Sequence, residues 1–97
     1  MRRMLLAAPM FLMGCSTAPA APPAQGETPG RTCQPAGLER FAGQSRTSEI
    51  GAEILRASNA ATVRWVPHGT MITMEFRADR VTVWLTADNR IERVSCG

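Results

Sequence analysis

The sequence predicts a small α+β domain in residues 32–97, and three observations support this class. One segment carries apolar residues at helical spacing, two later segments alternate apolar and polar residues as strands do, and a short third strand follows a turn. A single hydrophobic core is marginal in a domain of this size. A staple such as a disulfide, a metal or a partner is therefore expected.

Residues 1–14 are predicted to be a signal peptide, because two arginines precede an apolar run too short to cross a bilayer. The run ends in Leu12-Met13-Gly14-Cys15, which resembles the lipobox of bacterial lipoproteins, where the cysteine thiol receives a lipid. Lipidation of Cys15 would make the chain a bacterial cell-envelope protein, on the outer membrane and facing the periplasm. The alternative is cleavage after Ala20, which would discard Cys15 and release a secreted soluble protein.

Residues 15–31 are predicted to form the lipidated cysteine and a disordered tether. The segment is rich in Ala, Pro, Gly and Ser and has no hydrophobic period. Such a composition buries too little apolar area to offset the entropy of the chain. A tether of this kind would hold the domain some distance from a membrane surface.

Cys33 and Cys96 are predicted to form a disulfide, because Cys15 is assigned to the lipid and an exported chain enters an oxidising compartment. A bridge across this loop would stabilise the fold by about 4 kcal/mol in the loop-closure account. A metal site is not expected, since His68 is the only histidine and no C-x-x-C motif occurs. No cofactor is expected either.

The helical part of the domain is predicted in two pieces. Leu38 and Phe41 suggest a short helical turn, and a longer helix should begin at a cap on Ser45 or Thr47 and run to about Ser58. The residues expected on its core face are Ile50, Ile54 and Ala57, with Leu55 at the margin.

Two strands are predicted at Thr62–Pro67 and Val81–Thr86, where apolar and polar residues alternate. A turn at the Asp-Asn pair that follows leads to a short final strand marked by Ile91 and Val94 and ending at Cys96. The side chains expected to share one face of the second strand are Val81, Val83 and Leu85.

The connection Gly69–Arg80 is long for a compact domain, and long loops tend to be functional. It contains Ile72, Met74 and Phe76, which would normally be buried. One interpretation makes Met71, Ile72 and Met74 the core of a longer strand. The other exposes them in a loop that a partner binds.

The stretch Val66–Val81, and in particular its T-M-E-F-R-A-D-R run, resembles the reactive-site region of the potato inhibitor I family of serine protease inhibitors. The ending Asn89–Gly97 resembles more closely a cysteine-containing relative, the fungal elastase inhibitor family with its bacterial lipoprotein homologues. The resemblance covers Leu38–Gly97.

This resemblance implies a wedge in which one helix packs on a small mixed sheet, with an extended reactive loop between two parallel strands. It implies a serine protease of the chymotrypsin, subtilisin or elastase type as partner. The scissile bond would be Met74–Glu75, with Met74 in the specificity pocket. The other loop residues expected to contact the protease are Ile72, Thr73, Phe76 and Arg77.

The resemblance also implies that arginines after the loop hold it in place. Arg80 matches one of them and is expected to pair with Glu75. The second falls at Thr82, which is not arginine, so loop rigidity must come partly from elsewhere, for example from the Cys33–Cys96 bridge.

Other function classes are disfavoured. Without Arg2 and Arg3, nine of the eleven basic residues remain against eight acidic ones, and charges of both signs alternate, so a nucleic-acid partner is not expected. One histidine and no glycine-rich phosphate loop argue against an enzyme with a small-molecule substrate. A monomer that meets the membrane only through its lipid is expected. The competing hypothesis is a non-inhibitory envelope lipoprotein with the same fold.

Overall fold

The computed structural model describes residues 26–97, and in this part of the chain one helix packs on a three-stranded sheet. The predicted signal peptide, Cys15 and the alternative cleavage site after Ala20 lie outside the described residues. The elements in chain order are a 3₁₀ turn at Leu38–Phe41, helix α1 at Ser48–Ser58, and strands β1 at Thr62–Val66, β2 at Arg80–Leu85 and β3 at Ile91–Cys96.

The sheet has the order β1-β2-β3 and is mixed. Strands β1 and β2 are parallel, with Thr62 opposite Arg80, whereas β2 and β3 are antiparallel, with Val81 opposite Cys96. Because parallel strands need a connection that returns to the same end of the sheet, the chain after β1 must cross the whole strand length. The α+β class and the mixed sheet predicted from the sequence are confirmed.

The N-cap of helix α1 is Thr47 and not Ser45, since the Thr47 hydroxyl accepts a hydrogen bond from the Ile50 N–H at 3.0 Å. Asn59 ends the helix with a positive φ of 63°.

The predicted core face of α1 is confirmed, since Ile54 is fully buried and Ile50, Leu55 and Ala57 pack against the core. Gly51, Ile54 and Ser58 are buried, whereas Ile50, Leu55 and Ala57 are only half-buried. Gly51 is also on this face, and a methyl group there would lie 3.0 Å from the ring of Trp65 on β1. The helix therefore approaches the sheet most closely where it has no side chain.

The core lies between α1, the 3₁₀ turn and one face of β2. The predicted alternation of β2 is confirmed, since Val81, Val83 and Leu85 are all buried. Thr82 points to the opposite face and is nevertheless fully buried. Thr82 must therefore be covered by residues outside α1.

The predicted disulfide between Cys33 and Cys96 is confirmed, with 5.6 Å between the two Cα atoms. The Cys33 N–H also donates to the Ala78 carbonyl oxygen at 2.8 Å, just before β2 begins. The disulfide thus joins the start of the domain to the end of β3, and the hydrogen bond of Cys33 joins both to the C-terminal end of the loop.

Residues 26–31, which the composition assigns to the tether, contact the domain. The Arg31 guanidinium donates to the Ala60 carbonyl oxygen at 2.9 Å, and the Asn59 side chain donates to the Gly30 carbonyl oxygen at 3.0 Å. Over residues 26–97, no helix combines the length and apolarity that crossing a bilayer requires.

Candidate functional site

The loop between β1 and β2 comprises residues 67–79 and contains neither helix nor strand. Met71 is 93% exposed, Met74 89% and Phe76 70%, while Ile72 is half-buried. These exposures exclude the interpretation in which Met71 and Met74 are strand core. Three large apolar side chains on one loop form a surface suited to a protein partner.

The predicted scissile bond follows Met74, and side chains on either side of Met74 bond to each other. The Thr73 hydroxyl donates to the Glu75 carboxylate at 2.8 Å. The hydrogen bond closes a short ring around Met74 and restricts the backbone there. The Met74 side chain itself stays free in solvent.

Arg80, at the start of β2, holds the loop from below. Its Nη2 donates to the Glu75 carbonyl oxygen at 2.8 Å, and its Nε donates to the Gly97 carbonyl oxygen at 2.8 Å. The expected partner Glu75 is thus contacted through its backbone, because its carboxylate is bonded to Thr73. Partial burial lowers the pKa of the Arg80 guanidinium, and the nearby positive charges of Arg64 and Arg77 lower it further.

Thr82 lies below the loop where the resemblance places a second arginine. Its hydroxyl donates to the Gly97 carbonyl oxygen at 2.7 Å and accepts from Arg64 Nε at 3.3 Å. Arg64 Nη1 reaches the Thr73 carbonyl oxygen at 3.5 Å. An arginine on β1 therefore contacts the N-terminal side of Met74, as Arg80 contacts the C-terminal side.

Arg64 is a site residue that the sequence does not reveal by itself. It pairs with Thr82 in the parallel register of β1 and β2. In the sequence, Arg64 is only the polar member of an alternating strand. Its position under the loop becomes apparent once the register of the two strands is known.

Asp79 fixes the C-terminal end of the loop and was not among the expected site residues. Its side chain is almost fully buried, and its carboxylate accepts from the Thr28 hydroxyl at 2.6 Å and from Arg77 Nε at 3.4 Å. Its backbone oxygen accepts from the Ala61 N–H at 2.8 Å. The Thr28 hydrogen bond, with help from the charge of Arg77, lowers the pKa of the Asp79 carboxyl although burial opposes this.

A cavity of about 240 Å³ separates the loop from the face of the sheet opposite α1. Its walls include Ile72, Phe76 and Trp84, and the Arg93 guanidinium lies 3.5 Å above the Trp84 ring. The polar contacts just described connect the loop to the sheet around this cavity. Within residues 26–97, no group of three or more His, Cys, Asp or Glu side chains is arranged to hold a metal ion.

An exposed apolar loop, held from below on a small disulfide-bonded α+β scaffold, defines a small protein of the protease-inhibitor class. A solved structure of this class, the bitter gourd trypsin inhibitor, is 26% identical and aligns with a TM-score of 0.56, covering 68% of this chain and 98% of its own. The elastase inhibitor AFUEI, in crystal form II, is 27% identical with a TM-score of 0.49, covering 62% of this chain and 82% of its own.

The model of the peptidase inhibitor I78 family matches residues 33–97, and the chain belongs to this family. No curated protein sequence matches the chain. The family and the fold confirm the resemblance to protease inhibitors seen in the sequence, and they make the protein an inhibitor of peptidases and not an enzyme.

Proposed function

We propose that the protein inhibits serine proteases of the chymotrypsin, subtilisin or elastase type by presenting residues 69–80 as a substrate, with Met74–Glu75 as the scissile bond. One observation carries this proposal: the Met74 side chain is 89% exposed while the carbonyl groups of both its neighbours are held by arginines. An exposed apolar side chain on a restrained backbone can enter a specificity pocket with little loss of chain entropy.

The neighbours of Met74 fit the same binding mode. Ile72 and Thr73 would lie on the acyl side of the scissile bond, and Phe76 and Arg77 on the other. Phe76 is 70% exposed and offers a second apolar contact to the protease. The similarity to a trypsin inhibitor supports a serine protease as the target class.

Slow release would follow from the contacts on the C-terminal side of the scissile bond. When the protease serine attacks the Met74 carbonyl, the peptide C–N bond breaks, an acyl-enzyme ester forms, and Glu75 becomes a free amine. The hydrogen bond from Arg80 to the Glu75 carbonyl oxygen keeps this amine near the ester. Resealing of the peptide bond then competes with hydrolysis, and the protease stays occupied.

The test compares two aspartate substitutions on the same loop. Met74→Asp places a charge in the specificity pocket and should abolish inhibition of subtilisin, chymotrypsin and elastase. Met71→Asp is the matched control, because Met71 is equally exposed and lies only three residues away. Circular dichroism of both variants checks that the domain remains folded. Equal inhibition by Met74→Asp and the parent chain would refute the assignment of the reactive site.

The proposed location is the bacterial outer membrane, with the domain facing the periplasm and a lipid on Cys15. This part of the proposal rests on the sequence of residues 1–31. Labelling with a radioactive fatty acid should mark the parent chain and not Cys15→Ser. If the parent inhibits no serine protease, the non-inhibitory envelope lipoprotein becomes the better hypothesis.

A further inference from the structure

Residues 26–32 precede the segment that the family model covers, yet they contact the C-terminal end of the loop. The Asp79 N–H donates to the Gly26 carbonyl oxygen at 2.9 Å, and the Thr28 hydroxyl donates to the Asp79 carboxylate at 2.6 Å. Asp79 is therefore held through both its backbone and its side chain by the same short segment.

Gly26 also packs against the loop residue Arg77. Gly26 is buried, and a methyl group on it would lie 3.2 Å from the Cα, Cβ and Cγ atoms of Arg77. The Arg77 Nε in turn bonds to the Asp79 carboxylate at 3.4 Å. The backbone at Gly26 and the carboxylate of Asp79 thus restrict Arg77 on two sides.

The other end of this segment is fixed to the scaffold. Arg31 bonds to the Ala60 carbonyl oxygen, and Asn59 bonds to the Gly30 carbonyl oxygen. Directly after it, Cys33 is joined to Cys96 by the disulfide. The segment cannot move away from Asp79 without loss of these contacts, so it acts as a strap across the base of the loop.

We propose that residues 26–32 are a working part of the inhibitor, in which Thr28 and Gly26 position the C-terminal half of the loop through Asp79. This inference rests on the proposed function. After cleavage of Met74–Glu75, residues 75–79 would be attached covalently only at β2. The strap and Arg80 then hold this released segment against the scaffold, which favours resealing over hydrolysis.

The test uses point variants of the full chain and measures the rate at which subtilisin hydrolyses the Met74–Glu75 bond. Thr28→Val removes the hydroxyl that bonds Asp79, and the rate should rise about tenfold, the usual effect of losing one hydrogen bond to a charged group. Thr28→Ser keeps the hydroxyl and should restore the slow rate. Gly26→Ala, which forces a methyl group onto Arg77, should also accelerate hydrolysis.

A core variant separates positioning from general stability. Ile54→Val removes one buried methylene group from the hydrophobic core and none of the hydrogen bonds of the strap, so it should lower the melting temperature without changing the hydrolysis rate. Thr28→Val hydrolysed at the parent rate would overturn the inference. If the parent chain does not inhibit subtilisin, chymotrypsin or elastase, the proposed function fails. Faster amide exchange at Asp79 in Thr28→Val would then still demonstrate the restraint, and unchanged exchange would overturn it.

Discussion

The Arg64 guanidinium donates to the Thr82 hydroxyl across 3.3 Å, which links β1 to β2 directly beneath the loop. The same hydroxyl donates to the Gly97 carbonyl oxygen, so one buried threonine connects three parts of the chain. The resemblance to potato inhibitor I proteins places an arginine at Thr82. Here a threonine allows Arg64, on the neighbouring strand, to reach the Thr73 carbonyl oxygen instead.

We expect Arg64 and Thr82 to act as a unit in protecting the loop. Arg64→Met and Thr82→Val should each accelerate hydrolysis of the Met74–Glu75 bond, and the double variant should accelerate it by less than the product of the two single effects. The expected coupling is about 1 kcal/mol, because both substitutions remove the same hydrogen bond. A double-mutant cycle of hydrolysis rates with one protease measures it.

Arg46→Met is the matched control for this cycle. The Arg46 guanidinium lies 4.8 Å from the centre of the Trp65 ring, on a different strand residue from those that support the loop. Arg46→Met removes one positive charge, as Arg64→Met does. Additive effects of Arg64→Met and Thr82→Val would contradict the prediction.

Local sequence patterns were sufficient to predict the elements of the fold. Helix α1, the alternation in β2 and the loop between the strands depend on residues close in sequence, and periodicity reveals such elements. The Cys33–Cys96 bridge was predictable because a domain of this size needs a staple and the sequence analysis had assigned the third cysteine to a lipid. The core face of α1 was predictable from its apolar residues, whereas the close approach at Gly51 was not, because glycine has no side chain that marks a face.

The contacts that hold the loop were less accessible to sequence reasoning, since they join distant residues. Thr28 and Asp79 are 51 residues apart, and the composition around Thr28 predicted a tether. Arg64 needed the parallel register before it could be assigned. The sequence predicted that Arg80 pairs with Glu75. It did not show whether Arg80 bonds the carbonyl oxygen of Glu75 or its carboxylate.

We expect oxidation of Met74 to weaken inhibition. Hydrogen peroxide transfers one oxygen atom to the exposed thioether and leaves water, so a polar sulfoxide replaces the apolar sulfur. A sulfoxide buried without a partner in an apolar pocket should weaken binding by about tenfold or more. Inhibition constants before and after peroxide treatment, with mass spectrometry to count the oxygens, measure the effect.

Two leucine variants identify the methionine whose oxidation weakens inhibition. Met74→Leu should keep its inhibition after peroxide treatment, whereas Met71→Leu should lose it as the parent does. Met71 is at least as exposed to peroxide as Met74. A different response of the two variants therefore cannot come from a difference in exposure. A Met74→Leu chain that loses inhibition on oxidation would place the sensitive site elsewhere.

Removal of the disulfide should destabilise the domain strongly. The bridge closes a loop with a sequence separation of 63 residues, and its loss should lower the free energy of unfolding by about 4 kcal/mol. Cys33→Ala/Cys96→Ala measured by urea denaturation tests this. Cys15→Ser should leave the unfolding free energy unchanged, and equal losses in the two chains would argue against a structural role specific to the bridge.

The acid sensitivity of the loop base should depend on Asp79. Its pKa lies below the usual 3.8 in the folded chain, chiefly because of the Thr28 hydrogen bond. For a carboxyl with a lowered folded pKa, the stabilisation is fully present above the unfolded pKa and is lost as the pH falls through the folded pKa. The charged groups facing Asp79 are the guanidinium groups of Arg77 and Arg80.

Stability should therefore be steady from neutral pH down to about pH 5 and fall below about pH 4. Asp79→Asn should flatten this fall, and the protection factor of the amide at position 79 should be the same at both ends of the range. Asp88 titrates in the same window, since Thr86 and Arg90 lower its pKa on the turn before β3. Asp88→Asn should also flatten the fall in unfolding free energy, yet keep the acid-induced loss of protection at the Asp79 amide. If Asp88→Asn removed that loss of protection, protonation of Asp79 would not be what releases the base of the loop.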